Sequence, residues 1–187
     1  MFSHVLSTIA QTCDTLTAAG LKVELITGAG TGTFGMEANS GVYGELQPGS
    51  YLFMDVDYSL NQTDPSLPQF EHALFVKTQI MSVSAEHVVC DAGHKAHAID
   101  SGMPKVVNST FPLEFFNGGD EHGVLRCPEG TEAGDVKLPN LGDELWLLPG
   151  HCDPTVNLHD VIIGVRGGLD KGIVSELIDV DTRGVLN

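Results

Sequence analysis

The sequence holds 187 residues, 42% of them hydrophobic and 18% charged, enough apolar material for one cored domain, or one plus part of another. Nine Lys and Arg against 25 Asp and Glu leave a net charge of −16. Such a surface repels phosphate backbones and anionic lipid, which speaks against nucleic-acid and membrane partners. No apolar run approaches the roughly 20 residues of a membrane helix, and MFSHVLSTIAQTCDTL at the start carries no basic leader, so a cytoplasmic protein is expected.

Phe2 to Ala19 has helical spacing, with Val5, Leu6, Ile9, Leu16 and Ala19 able to share a face and Gly20 as the stop. Val23 to Ile26 reads as a short strand, followed by a glycine-rich loop from Gly28 to Gly35. A short segment, Met36 to Leu46, leads to a turn at Gln47 to Gly49 and a second expected strand from Ser50 to Val56. Helix, strand, loop, connector and strand suggest the closing part of an α/β barrel. Asn61 to Pro68, polar and with two prolines, reads as a linker or crossing loop.

From Ala73 onward the texture is β-rich. ALFVKTQIMSVS, EHVVCDAG, EHGVL, DELWLLPG and DVIIGVRGG are strand candidates punctuated by Gly and Pro, and no helix of ten or more residues is expected there. Cys13, Cys90, Cys127 and Cys152 form no CxxC pair. Reduced thiols are expected, with the first three acting as small buried hydrophobes.

The string from Gly30 to Gly35 matches GxGxxG, and Asp55 lies the right distance beyond it for a nicotinamide-cofactor fingerprint. That reading fails, because the fingerprint needs a long helix opening at its third glycine, and Gly41, Gly44, Pro48 and Gly49 leave room for barely two turns. The same loop, TGAGTGTFG, can instead present backbone N–H groups and the Thr31 and Thr33 hydroxyls to a phosphate. Pro48, Gly49 and Ser50 form a second small element of that kind. A plain tight loop stands at even odds with the phosphate reading on this segment alone.

LLPGHCDPTVNLHD (Leu147 to Asp160) holds the sharpest local signal. In an extended chain, residues two apart face the same side, so His151 and Asp153 can address one cation while Cys152 points away. An imidazole with a carboxylate suits Mn, Zn, Co or Mg and leaves most of the coordination sphere open, as catalysis by a metal requires. On spacing alone, an ordinary loop histidine and a turn-forming aspartate before proline are favoured. His122 in DEHG and His159 beside Asp160 are candidates to support the site from outside, and His94 and His97 are expected to be exposed.

Taken in order, GAGTGTFG (28–35), ANSGVYGELQPGSYLFMDVDY (38–58), DAGHKAHAIDSGMP (91–104), DEHGVL (120–125) and PGHCDPTVNLHD (149–160) resemble the D-threonine aldolase and D-serine dehydratase group of fold-type III pyridoxal-phosphate lyases, in the alanine-racemase-like superfamily. The resemblance runs through nearly the whole chain. It implies an α/β plus β architecture: residues 1–60 as the last units of a TIM-like, cofactor-binding barrel, and 61–187 as a mainly-β, barrel-like metal-binding domain. Gly30, Thr31, Gly49 and Ser50 fall where the family grips the phosphate of pyridoxal 5′-phosphate. His151 and Asp153 fall where it places a divalent metal, Mn or Zn and by chemistry also Mg or Co.

Dehydratase members resemble His-x-Cys at the metal and aldolase members His-x-Asp, so Asp153 points to the aldolase branch. That branch cleaves D-β-hydroxy amino acids to glycine and an aldehyde. The alternatives are a dehydratase yielding a 2-oxo acid and ammonia, or a non-catalytic metal-binding remnant. The family's cofactor-bearing lysine matches none of Lys22, Lys77, Lys95, Lys105, Lys137 or Lys171. The expectation is therefore a fragment, inactive alone and prone to associate, from a parent that is a homodimer, and no catalytic residue is assigned in this chain.

Overall fold

The computed structural model describes residues 2–132 and 135–184. The expected domain limits at residues 1 and 187, and the pair 133–134, lie outside the described residues. The chain divides into two compact units: one runs to Leu52 and resumes over Asn61–Glu71, and the other takes Phe53–Leu60 and the chain from His72 onward.

In the first unit, α1 (Phe2–Ala18) ends where Gly20 takes a positive φ of 79°. None of its side chains is fully buried, and Val5 and Leu16 are exposed. The expected strand at Val23–Ile26 does not form. Pairing falls just beyond it, where β1 (Thr27–Gly28) lies parallel to β2 (Glu45–Leu46). A Cβ on Gly28 would stand 2.8 Å from the Tyr43 ring, so a larger residue there would require that ring to move. α2 (Phe34–Ala38) has five residues, too short for a dinucleotide fingerprint. Asn61–Glu71 folds back onto this unit: Phe70 packs on Phe34 and Tyr51, and the Gly35 backbone meets Leu67.

The expected strand from Ser50 to Val56 is also absent. Ser50–Leu52 is a single 3₁₀ turn, Met54 takes a positive φ of 52°, and α3 (Val56–Ser59) follows. Asp55 is why: its carboxylate accepts the Tyr58 N–H at 2.8 Å as an N-cap and starts a helical turn where β-branched and aromatic residues had suggested a strand.

The second unit is built on a six-stranded sheet. Its strands are β3 (Val76–Val83), β4 (Val88–Cys90), β5 (Lys105–Val106), β6 (Glu114–Asn117), β7 (Gly123–Arg126) and β8 (Glu144–Leu148). Their order is β5-β8-β3-β4-β7-β6, all pairs antiparallel, and the end strands β5 and β6 approach each other, which makes a nearly closed barrel. Period-two alternation aims Ile80, Val88, Cys90, Leu125, Leu145 and Leu147 inward, where they form the core with Leu113 and Phe115. Each large apolar side chain so buried contributes about 1.5–3 kcal/mol. After β8 come α4 (Cys152–Val156) and the hairpin β9 (Val161–Arg166) with β10 (Ile173–Asp179). The hairpin leaves Ile163, Val165, Val174 and Leu177 exposed. Cys90 and Cys152 are buried, Cys13 and Cys127 only half-buried, and none of the four forms a disulfide.

Candidate metal and phosphate sites

The segment carrying His151 is not extended throughout. His151 is extended (φ −142°, ψ 124°) and occupies the N-cap of α4, while Asp153 stands in the first turn of that helix. Pro154 is tolerated here, since the first helical turn accommodates a residue without an N–H. Cys152 is buried and Asp153 exposed, but the extended chain expected to put His151 and Asp153 on one side gives way to helix directly after His151. The helix is locked to its own cap: the Thr155 hydroxyl, itself buried, donates to the His151 carbonyl at 2.6 Å.

Two further segments hold this loop. Asp55 is fully buried and uses its second carboxylate oxygen to accept the Cys152 N–H at 2.8 Å. The neighbouring Val56 and Asp57 N–H groups donate to the Pro149 and Gly150 carbonyls at 3.0 and 3.2 Å. A carboxylate accepting two backbone N–H groups is a strong tie, and its burial keeps water from competing. From the other side comes the stretch 91–103. Ala98 N–H donates to Thr155 Oγ1 at 3.1 Å, and His159 Nε2 meets the Ala96 carbonyl at 2.8 Å. Gly150 and Gly102 come so close that a Cβ on Gly150 would lie 2.2 Å from the Gly102 carbonyl oxygen.

These ties deliver Asp100 to the candidate ligand. Its Oδ2 lies 2.7 Å from His151 Nδ1, and Ser101 Oγ is at 3.4 Å from the same nitrogen. Burial pulls the His151 imidazole down, but the hydrogen bond to Asp100 and the charges of Asp100, Asp55 and Asp153 together outweigh it, and its pKa stands above the ordinary histidine value. Asp100 is held below the usual carboxylate range, first by its bond to His151. The engaged Nδ1 leaves Nε2 as the ring atom available to a cation. Among the described residues no group of three or more His, Cys, Asp and Glu side chains is arranged around a metal. The donor set on this chain is thus one imidazole and one exposed carboxylate. That set fits a divalent ion whose remaining positions are filled by water or substrate.

The other histidines sort differently. His122 is exposed in the turn between β6 and β7, where its carbonyl accepts the Gly118 N–H. The same turn accepts the His94 and Lys95 N–H groups through Gly119 and Asp120, and Glu121 pairs with Lys95 at 2.8 Å. His159 orients the stretch 91–103 through Ala96 rather than touching the His151 ring. The expected exposure of His97 is overturned. It is 1% exposed, stacks edge-on against Phe115, and its Nε2 has no hydrogen-bond partner. Sequence reasoning missed Asp100 and Asp55 as supports for His151. The signal for Asp100 was its place inside DAGHKAHAIDSGMP, and none existed for Asp55 beyond an acid after a hydrophobic run.

In the first unit the two glycine-bearing loops leave the same ends of the parallel pair β1 and β2, so they are neighbours as the phosphate reading required. The expected order is corrected in one respect: Pro48–Ser50 follows a strand instead of preceding one. Thr31 Oγ1 accepts the Tyr51 N–H at 3.0 Å and ties the loops together, with Thr31 and Ser50 both buried. A Cβ on Gly30 or Gly49 would meet nothing within 4 Å, so open space stands before both backbones. Ala29, between Gly28 and Gly30, is held at φ 71°, a strained conformation for a residue with a Cβ. Small residues, free space and two loops joined at one point fit a phosphate group.

The chain matches members of the D-threonine aldolase and D-serine dehydratase-like group of fold-type III pyridoxal-phosphate enzymes at high identity along most of its length. The family model described as "Putative serine dehydratase domain" matches residues 73–165. Among individual proteins, 3-hydroxy-D-aspartate aldolase of Paracoccus denitrificans (strain Pd 1222) is 41% identical over 86% of this chain and 41% of its own length. D-threonine aldolase of Arthrobacter sp is 42% identical over 90% of this chain and 42% of its own.

A crystal structure of D-threonine aldolase from Filomicrobium marinum superposes with a TM-score of 0.84 at 44% identity, covering 97% of this chain and 46% of that one. D-threo-3-hydroxyaspartate dehydratase from Delftia sp. HT23 gives a TM-score of 0.62 at 21% identity, covering 84% and 45%, a likeness of fold alone. The chain spans 38% to 42% of the length of the curated relatives it matches.

Proposed function

We propose that this chain is the metal-bearing, C-terminal part of a pyridoxal-phosphate- and divalent-metal-dependent lyase that cleaves D-β-hydroxy amino acids to glycine and an aldehyde. Its barrel-derived segment is residues 1–60 and its metal domain 61–187. The observation that carries this reading is the 41% to 44% identity with aldolases along most of the chain. Asp153, at the place where dehydratase-like members resemble cysteine, agrees with it.

In this reading His151 Nε2 and the Asp153 carboxylate would hold the metal, Mn or Zn, which would supply Lewis-acid activation of the substrate's β-hydroxyl. Asp55 and Thr155 fix the His151–Cys152 peptide unit between the two ligands, Asp55 at its N–H and Thr155 at its carbonyl. Gly30, Thr31, Gly49 and Ser50 seat the phosphate of the cofactor, whose ring, when bound, supplies a sink for the electrons released at Cα. No lysine of this chain is assigned to carry the cofactor in this reading.

The test joins the chain in frame to the barrel of a D-threonine aldolase whose own matching segment has been removed. With pyridoxal phosphate and manganese, the hybrid is expected to convert D-threonine to glycine and acetaldehyde and to leave L-threonine untouched. Release of ammonia and a 2-oxo acid in their place establishes the dehydratase reaction, and no turnover of a folded, cofactor-loaded hybrid rejects the catalytic reading.

A further inference from the structure

We infer that Asp100 is a positioning residue for His151: it holds the imidazole by Nδ1, so that Nε2 is the nitrogen presented to a cation. This rests on the reading of His151 as a metal ligand and adds to it the residue that selects which ring atom binds. The carboxylate lies 2.7 Å from Nδ1. A carboxylate at neutral pH only accepts hydrogen bonds, so the ring nitrogen facing it must carry the proton. The neutral ring then has its lone pair on Nε2. A carboxylate behind a metal-binding histidine also makes the ring a better donor and removes its rotational freedom.

The surrounding structure commits residues to this one contact. Asp100 sits in a turn closed by Gly102 N–H donating to the Ile99 carbonyl at 3.2 Å, with Gly102 at φ 121°. That turn is fastened to α4 from both sides. Ala98 N–H donates to buried Thr155 Oγ1, and the Gly102 carbonyl abuts Gly150 so closely that no side chain fits between them. Thr155 donates its proton to the His151 carbonyl. One hydroxyl therefore sets both the backbone of the histidine and the approach of its carboxylate partner. Asp100 is itself half-exposed, with 54% of its side chain accessible, so it adds little to the core. Its removal leaves the fold in place.

The test has two readouts, neither of which needs turnover. The first is manganese affinity of the purified chain, from loss of the free-ion electron paramagnetic resonance signal, for wild type and for His151→Ala, Asp100→Ala and Asp100→Asn. Asp100→Ala is expected to weaken binding about 10- to 100-fold. Asp100→Asn, whose side-chain oxygen still accepts from Nδ1–H, recovers most of that loss. The second is the ¹⁵N signature of the His151 ring in the metal-free chain: protonated at Nδ1 in wild type, shifted towards Nε2–H in Asp100→Ala.

Wild-type affinity in Asp100→Ala while His151→Ala has lost binding overturns the inference alone. A neutral ring protonated at Nε2 alone in the wild type does the same. Unchanged affinity in His151→Ala removes the metal reading and the inference with it.

Discussion

His151 Nδ1 lies 2.7 Å from Oδ2 of Asp100, 51 positions earlier in the chain, while the carbonyl of the same histidine accepts the Thr155 hydroxyl at 2.6 Å. Ring and backbone are therefore fixed separately, by residues from two different segments. A side chain held this way would lose little further freedom on binding a cation.

Asp55 is the strongest single tie to this loop. Asp55→Ala removes the acceptor for the Cys152 and Tyr58 N–H groups in a place closed to water. The expected loss is about 3 kcal/mol of stability, measured by urea unfolding. Asp55→Asn keeps one good acceptor and is expected to lose less than the alanine variant.

Gly150→Ala tests the backbone approach. Its new Cβ would meet the Gly102 carbonyl at 2.2 Å, and neither partner is a flexible side chain. The turn carrying Asp100 must move, at a cost of about 1–3 kcal/mol, and manganese affinity is expected to fall along with stability. Gly49→Ala, in open space, is the control expected to leave the urea midpoint where it was.

His97 gives the chain an acid-sensitive core. Burial pushes its pKa below the ordinary histidine value of 6.5, so the folded chain holds the ring neutral while the unfolded chain binds a proton. Stability is fully present above the unfolded value and is lost as pH falls from there towards the folded value. The slope is at most about 1.4 kcal/mol per pH unit for one proton. Urea midpoints at pH 7.5 and 5.5 are expected to differ in the wild type, and the difference to shrink in His97→Gln.

At the phosphate loops, Ala29→Gly relieves a left-handed residue and is expected to raise stability by about 1 kcal/mol. Gly30→Val is expected to change stability little, since a Cβ there meets nothing within 4 Å. It fills the space before the loop, and affinity for pyridoxal phosphate, followed by fluorescence titration, is expected to drop about tenfold or more, the equivalent of one charge-assisted hydrogen bond.

The sequence was most legible where one local pattern decides the outcome. Alternation over Val76–Val83 and Glu144–Leu148 places inward residues two apart, and the structure buries Ile80, Leu145 and Leu147 accordingly. The β-rich second part was readable from its β-branched runs, and the shortness of the helix after the glycine loop from Gly41, Gly44, Pro48 and Gly49, whereas the helical turn at Cys152–Val156, where an extended chain was expected, was not. The strand expected at Ser50–Val56 was not, because a single long-range acceptor, Asp55, outweighs the β propensity of its neighbours. The burial of His97 depends on Phe115 from another strand, and Asp100 acquires its role only when Thr155 and Gly150 bring two distant segments together. Such residues are set by topology, and a one-dimensional pattern does not display topology.

The central claim is that one imidazole and one carboxylate, His151 and Asp153, bind a divalent cation. Crystals of the chain grown with manganese, with data collected on the low-energy side of the iron edge and above the manganese edge, test it directly. An anomalous peak bonded to His151 Nε2 and the Asp153 carboxylate, with the Asp100 contact at Nδ1 intact, is the predicted result. Density showing both side chains ordered, no peak between them, and manganese bound elsewhere on the chain contradicts it.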